Sequence, residues 1–320
     1  MRSKGERGVL QNPSYWSVVR GNHRYGGFAS GNQAYNKVRG KTRTSRVHNV
    51  CLILFANKAN SRYRLVLAAN RDEFYSRPTA PAAFWKEAPD VLAGKDLKSG
   101  GSWMGATRGG KIAAVTNFRG PGKAWENAPS RGNLVSDFLM DNESPDVFIY
   151  KLRTRARNYN GFNLLLGSAE ELWWYSNRYE EPPRRIIPGV HGLSNDLLDT
   201  PWPKVERGKR ALRHLIIDEK EITSEQVFPI LEDHSPAADD ELPDTGVGLE
   251  LERVLSAPFV RTQDYGTRSS TVLLIDHTGN VTFVEHSFNP RDDSRKETRY
   301  EFRIEPRGAL RGVQPVVSCP

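Results

Sequence analysis

The sequence of 320 residues has only two cysteines, Cys51 and Cys319, and no long apolar run. At most one disulfide can form, and Cys319 lies at the extreme C-terminus, so a disulfide-stapled fold is excluded and a reducing compartment is expected. The longest apolar runs, such as 162–167, fall far short of the roughly 20 residues that a transmembrane helix requires. We therefore expect a cytoplasmic protein with no membrane span.

Acidic residues are almost missing from the first 50 positions. Residues 1–50 hold ten of the 46 Lys and Arg but one of the 38 Asp and Glu, which leaves 36 basic and 37 acidic residues in 51–320. The net charge of +8 therefore belongs to a basic leader. The leader lacks the apolar core of a secretory signal and any helical or strand period. We predict that it is disordered or absent from the mature protein, and that 51–320 form a single domain.

Three interpretations of the leader stay open. Its charge is typical of a nucleic-acid-binding tail, and its Arg and Ser content is typical of a mitochondrial transit peptide. We favour a third, in which the mature chain begins at Cys51. Either translation starts at the codon of Val50 and the initiator Met is removed, or the chain cleaves itself after Val50. Nucleic acid is accordingly not expected as a partner.

From Cys51 onward the hydrophobic pattern alternates between strands and helices. The predicted strands are 51–56, 64–70, 103–107, 111–117, 162–167, 171–176, 190–194, 270–276 and 280–286, with a weaker edge strand at 299–304. The predicted helices are one that opens at 130 and those at 145–157, 204–217, 223–232 and 248–256. This order predicts an α+β fold, a four-layer αββα sandwich of two antiparallel sheets.

Polar and charged residues follow the second predicted strand, in the order Asn70, Arg71, Asp72 and Glu73. With a period of two, Asn70 and Asp72 face one way while Arg71 and Glu73 face the other. A carboxylate that emerges on the side of Cys51 could hold the α-amine of a nucleophilic cysteine. Alternatively, the motif is a loop with local salt bridges.

Asn117 and Asn195 each follow a predicted strand. An Asn amide suits an oxyanion, and losing one such donor costs about 3–4 kcal/mol, but Asn also ends strands because it tolerates turn geometry. The Gly-rich run 100–105 lacks the lysine of a phosphate loop, so we interpret it as a turn that places Trp103 at a pocket wall. Arg268 precedes a buried strand, where it either binds an anionic group or lies on the surface.

No metal site is expected. His191 and His286 lie on or beside predicted strands without the spacing of metal ligands, so we interpret both as structural. The dipeptide Cys319-Pro320 at the C-terminus is of the sort seen at haem-responsive sites.

Seven motifs together resemble the NRDE family, also called the transport and Golgi organisation protein 2 family. They are Cys51 and the segments 67–78 (LAANRDEFYSRP), 100–105 (GGSWMG), 115–119 (VTNFR), 130–132 (SRG), 192–195 (GLSN) and 265–272 (YGTRSSTV). The resemblance covers 51 to about 286. It implies a relationship to N-terminal-nucleophile hydrolases of αββα fold.

The resemblance also implies positions for a site. In the choloylglycine and penicillin V acylase branch, the catalytic positions are an N-terminal Cys, an Asp and two Asn, which fall by motif on Cys51, Asp72, Asn117 and Asn195. The positions that we assign to ligand binding are Asn70, Arg71, Glu73, Trp103, Arg119 and Arg268. Two features depart from that branch. Ala69 stands where it has an Arg, and Cys51 is not the first residue of the chain as written.

Family members are implicated in haem trafficking, with further proposals about acyl-CoA and lipids. The resemblance therefore implies a protein that binds or moves a hydrophobic anionic small molecule, with haem as the leading cargo and no required cofactor. The alternative is an N-terminal cysteine amidohydrolase. In that case the Cys51 thiol attacks an amide carbonyl, and its own α-amine, with a pKa of about 7.7–8.0 when unperturbed, is the general base.

Overall fold

The structure is a computed structural model that describes residues 51–120, 124–218, 221–289, 292 and 294–305. The basic leader and Cys319 lie outside these ranges, so the expectations about them stay predictions.

The described chain folds into thirteen strands and five α-helices. The strands are β1 (Cys51–Asn57), β2 (Tyr63–Phe74), β3 (Thr79–Phe84), β4 (Val91–Asp96), β5 (Met104–Thr107), β6 (Lys111–Asn117), β7 (Phe162–Ser168), β8 (Leu172–Ser176), β9 (Arg184–Arg185), β10 (Gly189–Leu193), β11 (Tyr265–Asp276), β12 (Asn280–Phe288) and β13 (Arg295–Arg303). The helices are α1 (Gly132–Met140), α2 (Pro145–Arg153), α3 (Pro203–Asp218), α4 (Ser224–Leu231) and α5 (Leu249–Leu255).

The strands form two antiparallel sheets. The first sheet has the order β10-β1-β2-β11-β12-β13, and the second has the order β3-β4-β5-β6-β7-β8-β9. Their facing sides share one apolar core, in which Phe55 and Leu67 of the first sheet pack with Met104 and Trp174 of the second. Helices α1 and α2 cover the outer side of the second sheet, and α3 and α4 cover that of the first. The predicted four-layer αββα sandwich is confirmed.

Strand β1 explains why its sequence is apolar at nearly every position. Leu52 and Leu54 pack against the helices, whereas Ile53 and Phe55 pack between the sheets, so both faces are buried. Because side chains alternate, the side chain of Cys51 lies on the same face as those of Ile53 and Phe55. The first residue of β1 therefore faces the space between the two sheets.

Strand β2 is longer than predicted. It continues to Phe74 because β11 pairs with it from Tyr265 to Asp276, and the pairing includes the polar segment 70–73. These residues are therefore part of the sheet and do not form a loop after it. The hydrophobic pattern around 70–73 does not reveal that a strand almost 200 residues later in the chain pairs with this segment.

Three strands were not predicted. Strand β3 contains Pro81 and lies at an edge of the second sheet, β4 contains Gly94, and β9 has two residues. Pro and Gly weaken the strand pattern of a sequence, and two residues show no period. The other predicted strands and helices are present, but β11 begins five residues before its predicted start, β13 begins four residues before its predicted start, and α2 ends four residues before its predicted end.

Of the helices in the described ranges, the longest is α3 with 16 residues. None of them has the length and apolar composition needed to cross a membrane.

Candidate functional site

Cys51 is buried at the start of β1, with 8% of its surface exposed. Burial and the nearby carboxylate of Asp72 raise the pKa of its thiol to about 12. A hydrogen bond from the Asp72 backbone and the charge of Arg71 act in the opposite direction and are weaker. The thiol is therefore protonated at neutral pH in a chain in which Val50 precedes it.

A cleft of about 370 Å³ lies over Cys51. Small-molecule sites in proteins have volumes of roughly 300–1,000 Å³. The predicted site residues that line it are Cys51, Arg71, Asp72, Glu73, Trp103 and Asn117. Six of the ten predicted site residues therefore meet in one cleft. Its wall also includes residues that were not predicted, among them Arg77, Asp96, Trp125 and Arg131.

Arg71 is the direct cross-strand partner of Cys51, so the two side chains share one face of the first sheet. Its guanidinium lies 4.3 Å from the ring centre of Trp103, and its Nη1 donates a hydrogen bond to Thr79 at 2.8 Å. Its Nη2 is 3.6 Å from a carboxylate oxygen of Glu73. Arg71 is thus held beside the thiol by three different contacts.

The position of Arg71 is relevant to Ala69, which stands where the acylase branch has an Arg. Ala69 precedes Arg71 by two positions and therefore faces the same way. A cation is absent at 69 but present at 71, on the same face of the same strand. Position 71 thereby supplies positive charge beside the cysteine.

Trp103 and Arg131 reach the cleft because glycines allow close approach. A Cβ atom at Gly94 would lie 2.2 Å from the ring of Trp103, so the ring covers β4 only because that side chain is absent. A Cβ atom at Gly101 would lie 2.4 Å from the backbone of Gly132. The GGSWMG and SRG motifs of the sequence therefore pack directly against each other, and this contact brings Arg131 to the cleft.

Arg131 precedes the first residue of α1, and it was not predicted as a site residue, although it lies within the quoted SRG motif. Its Nη1 donates to the carbonyl of Gly161 at 3.0 Å. Burial lowers its pKa to about 10, while Cys51 and Glu73 favour its charged form. Arg131 is therefore a cation at neutral pH, and it lies in the wall of the cleft that Cys51 also lines.

Asp72 points away from Arg71 because neighbouring residues of a strand alternate. Its Oδ1 accepts a hydrogen bond from the Thr267 hydroxyl at 2.6 Å, and its buried Oδ2 has no hydrogen-bond partner in the described part of the chain. Burial raises the pKa of Asp72, and the charge of Lys204 acts most strongly against this. Lys204 was not predicted, since a lysine in an amphipathic helix is normally exposed.

The two predicted asparagines lie together. Asn195 Nδ2 donates to the backbone carbonyl of Asn117 at 2.9 Å. The hydroxyl of Ser194 donates to the carbonyl of Cys51 at 2.9 Å, which joins this segment to β1. Asn117 lines the cleft, whereas Asn195 is fully buried beside it.

Asn70 and Arg119, both assigned to ligand binding from the sequence, lie away from the cleft. Asn70 faces the helices, where its Nδ2 donates to the carbonyls of Leu231 and Pro258 at 2.8 and 2.9 Å. Arg119 is buried and forms an ion pair of 3.0 Å with Glu252. Both side chains therefore support the fold behind the cleft and do not line it.

Arg268 also lies elsewhere than expected. It sits at a register shift of β11, and its Nη1 donates to the carbonyls of Phe74, Tyr75 and Arg77 at 3.1, 3.3 and 3.1 Å. These contacts hold the turn after β2, and Arg268 does not line the cleft. In the sequence, Arg268 stands just before a predicted buried strand. That position does not reveal that its guanidinium donates to backbone carbonyls.

The histidines make structural contacts. His191 bonds to the carboxylate of Asp199 at 2.8 Å, and His286 lies between Glu232 and Glu297 at 3.2 and 3.1 Å. Within the described ranges, no three or more His, Cys, Asp or Glu side chains are grouped so that they could hold a metal ion.

The family model described as Transport and Golgi organisation 2 matches residues 50–290, which begin one position before Cys51. The chain belongs to this family. It is 38% identical over 276 residues to the Transport and Golgi organization protein 2 homolog of Bos taurus, and 37% identical over 276 residues to that of Homo sapiens. Each alignment covers 80% of this chain and 100% of the relative.

Among solved structures, the chain is similar to a mutant of the conjugated bile acid hydrolase from Clostridium perfringens. The TM-score is 0.40 and the identity 10%, with 80% of this chain and 97% of that chain covered. Likeness of this degree carries no conclusion about the reaction. The assignment of the four-layer fold depends on the sheets and helices of this protein and not on that similarity.

The arrangement thus combines a buried protonated thiol with two cations and an aromatic wall. Arg71 and Arg131 favour negative charge near Cys51, while Asp72 opposes it. The cleft wall also carries the carboxylates of Asp72, Glu73, Asp96 and Glu126, so an anionic group would fit only on the side of Arg131. The cleft supports nucleophilic attack only if a base removes the proton from the thiol.

Proposed function

We propose that the cleft over Cys51 binds a small molecule that carries an anionic group. The observation that supports this most directly is the position of Arg131, which lines the same cleft as Cys51 and has no carboxylate within ion-pair distance in the described part of the chain. Arg71 adds a second cation on the same side as Cys51. Trp103 and Trp125, of which the second is 62% exposed, offer apolar surface to the remainder of the ligand.

Haem is the first cargo to test, because it joins a flat apolar macrocycle to two carboxylates. The aromatic side chains of the cleft suit the macrocycle, and Arg71 and Arg131 suit the carboxylates. Cys51 is a thiol that lies within reach of a ligand in the cleft. Acyl compounds with a carboxylate or phosphate share this chemistry and are the alternative cargo.

The test is a titration of haem into the purified protein, followed by the shift of the Soret band. Arg131→Gln is expected to weaken binding by roughly 10- to 100-fold, because losing a hydrogen bond to a charged group costs on the order of 1.5–3 kcal/mol. The matched control is Arg155→Gln, since Arg155 is an exposed arginine that pairs with Asp137 at 3.9 Å. Equal affinity of both variants would remove Arg131 from the site. Absence of a Soret shift in the wild type would remove haem.

A second function, amide hydrolysis, is favoured by one observation. Asp72 lines the cleft with a buried oxygen that lacks a hydrogen-bond partner among the described residues, beside the start of β1. If Cys51 were the first residue, its α-amine would be a base for the thiol, and Asp72 could orient it. The thiol sulfur would attack the amide carbon, its proton would pass through the amine to the leaving nitrogen, and Asn117 could donate to the oxyanion. Water would then hydrolyse the thioester.

This second function is tested with a chain that begins at Cys51 and a matched chain in which Val50 is retained. After incubation with an acyl amide, hydrolysis predicts an acyl adduct on Cys51 in the first chain only, detected by intact mass. Cys51→Ser should then abolish turnover and leave ligand affinity nearly unchanged. In a pure carrier, no adduct forms in either chain, and Cys51→Ser changes affinity instead.

A further inference from the structure

The cleft over Cys51 is lined by as many carboxylates as cations. Its charged side chains are four cations, Arg71, Arg77, Lys98 and Arg131, and four carboxylates, Asp72, Glu73, Asp96 and Glu126. Which of these groups can meet a ligand depends on how they pair with one another.

The charged groups around Arg77 neutralise each other. A carboxylate oxygen of Glu73 lies 3.6 Å from Arg71 Nη2 and 3.4 Å from Arg77 Nε. A carboxylate oxygen of Asp96 lies 2.6 Å from Arg77 Nη2. Two cations and two carboxylates are therefore occupied with each other and leave no net charge for a ligand.

The remaining four charged side chains have no ion-pair partner in the described ranges. They are Asp72, Lys98, Glu126 and Arg131. Asp72 is buried, and one of its oxygens accepts the hydroxyl of Thr267. Lys98 is an exposed residue directly after β4. Glu126 and Arg131 differ from these two because they lie on one short segment of the cleft wall.

We call residues 125–131 the wall segment, and most of them line the cleft. The backbone amide of Trp125 donates to Asn160 Oδ1 at 2.8 Å, and its carbonyl accepts from Asn160 Nδ2 at 2.9 Å. At the other end, Arg131 Nη1 donates to the carbonyl of Gly161 at 3.0 Å. Both ends of the wall segment are thus anchored on neighbouring residues, which fixes their separation.

The two ends of the wall segment offer opposite chemistry. Arg131 is a cation without a carboxylate partner in the described part of the chain. At the other end, the indole of Trp125 is 62% exposed and contacts no ring or cation of the described residues. The exposed carboxylate of Glu126 follows it in the chain. An aromatic face and a carboxylate together bind a substituted ammonium group, through cation–π and Coulomb attraction.

We propose that the wall segment selects ligands with a zwitterionic headgroup, whose anionic group binds Arg131 and whose substituted ammonium group binds Trp125 and Glu126. The anionic group is that of the proposed function, on which this inference rests and which it deepens. The ammonium group is a second charge of opposite sign. Acyl compounds with such a headgroup are therefore favoured over haem, which has no ammonium group.

The test compares two soluble phosphodiesters in isothermal titration calorimetry with the full chain, each below its micelle concentration. The first is octylphosphocholine, and the second has an uncharged tert-butyl group in place of the trimethylammonium group. We expect the wild type to bind octylphosphocholine about three- to tenfold more tightly than the uncharged probe. A cleft that recognises only the phosphate and the chain would prefer the uncharged probe, because its tert-butyl group is more apolar.

Variants assign the two charges of the headgroup to the two ends of the wall segment. Glu126→Gln and Trp125→Leu should each reduce the preference for octylphosphocholine to about twofold or less. Arg131→Gln should weaken the binding of both probes by the same factor, because both carry the phosphodiester anion. The matched control is Glu180→Gln, since Glu180 is exposed, has no ion-pair partner among the described residues and does not line the cleft. It should change neither affinity.

Two results would overturn the zwitterionic headgroup and leave the anionic group of the proposed function in place. One is equal affinity of the wild type for the two probes, and the other is a preference that persists in both Glu126→Gln and Trp125→Leu. The proposed function fails by different results, namely when neither probe nor haem binds, or when Arg131→Gln leaves every affinity unchanged.

Discussion

Cys51 and Arg71 are direct cross-strand partners at the start of β1, and their side chains share the face of the first sheet that looks toward the second. The thiol and the guanidinium are brought together by strand register alone. Arg71 is further held by Trp103 and Glu73, so its charge is kept beside a thiol that burial keeps protonated. A guanidinium thus lies beside the thiol in the structure without any ligand contact.

Replacing Arg71 tests this relationship. Arg71→Met should raise the pKa of the Cys51 thiol by about one unit, because it removes a nearby opposite charge, so alkylation at pH 8 should slow about tenfold. The alkylation rate of Arg71→Lys should lie between those of the wild type and of Arg71→Met. Arg62→Met is the control, since Arg62 is exposed and pairs with Glu221 at 2.9 Å. An unchanged rate in Arg71→Met would show that the guanidinium does not act on the thiol.

The state of the N-terminus is a second prediction. The charge break between 50 and 51 and the family match from residue 50 support a mature chain that begins at Cys51. Intact mass and N-terminal sequencing of natively expressed protein should find Cys51 first. The added α-amine should also accelerate alkylation of the thiol relative to a chain that retains Val50. Recovery of Met1 in the functional protein would contradict the prediction and exclude the α-amine as a base.

The buried pair of Arg119 and Glu252 should matter for stability and not for ligand contact. Glu252→Gln should lower the free energy of unfolding by about 3–5 kcal/mol, because it leaves a buried guanidinium without its counter-charge. The comparison is Asp239→Asn, which breaks the exposed pair with Arg253 at 2.7 Å and should cost much less, because water screens exposed charges. Urea denaturation measures both. Equal losses of unfolding free energy in Glu252→Gln and Asp239→Asn would show that burial does not determine how much an ion pair contributes to stability.

A pH dependence is expected for Asp199. Burial raises its pKa, but hydrogen bonds from His191, Gly192 and Lys209 outweigh burial and lower the pKa to about 2. Because the folded pKa lies below the unfolded value of about 3.9, the stabilisation is complete above that pH and is lost as pH falls through about 2. Asp199→Asn should therefore cost about 1–2 kcal/mol at pH 7, allowing for its partial exposure.

The measurement for Asp199 is urea denaturation of wild type and variant between pH 7 and pH 2. The difference in the free energy of unfolding should shrink as pH falls below about 4. A difference that stays constant down to pH 2 would mean that the contribution of Asp199 is not electrostatic.

The sequence by itself determined the layers, the family and six of the residues that line the cleft. Strand and helix periods are local properties, so runs such as 51–56 and 111–117 identify their elements without any partner. The motifs likewise named Cys51, Arg71 and Trp103, because residues that do chemistry cluster at strand ends and in turns whatever surrounds them.

Only the tertiary structure decided which side chains face the cleft. Asn70 and Arg268 look as suitable in the sequence as Arg71, but their donors are taken by backbone carbonyls from distant segments. Lys204 looks like a surface residue of an amphipathic helix, yet it is buried, and its Nζ donates to the carbonyl of Leu255, about 50 positions later. Burial and counter-charge are properties of long-range packing, and a local pattern of residues does not contain them.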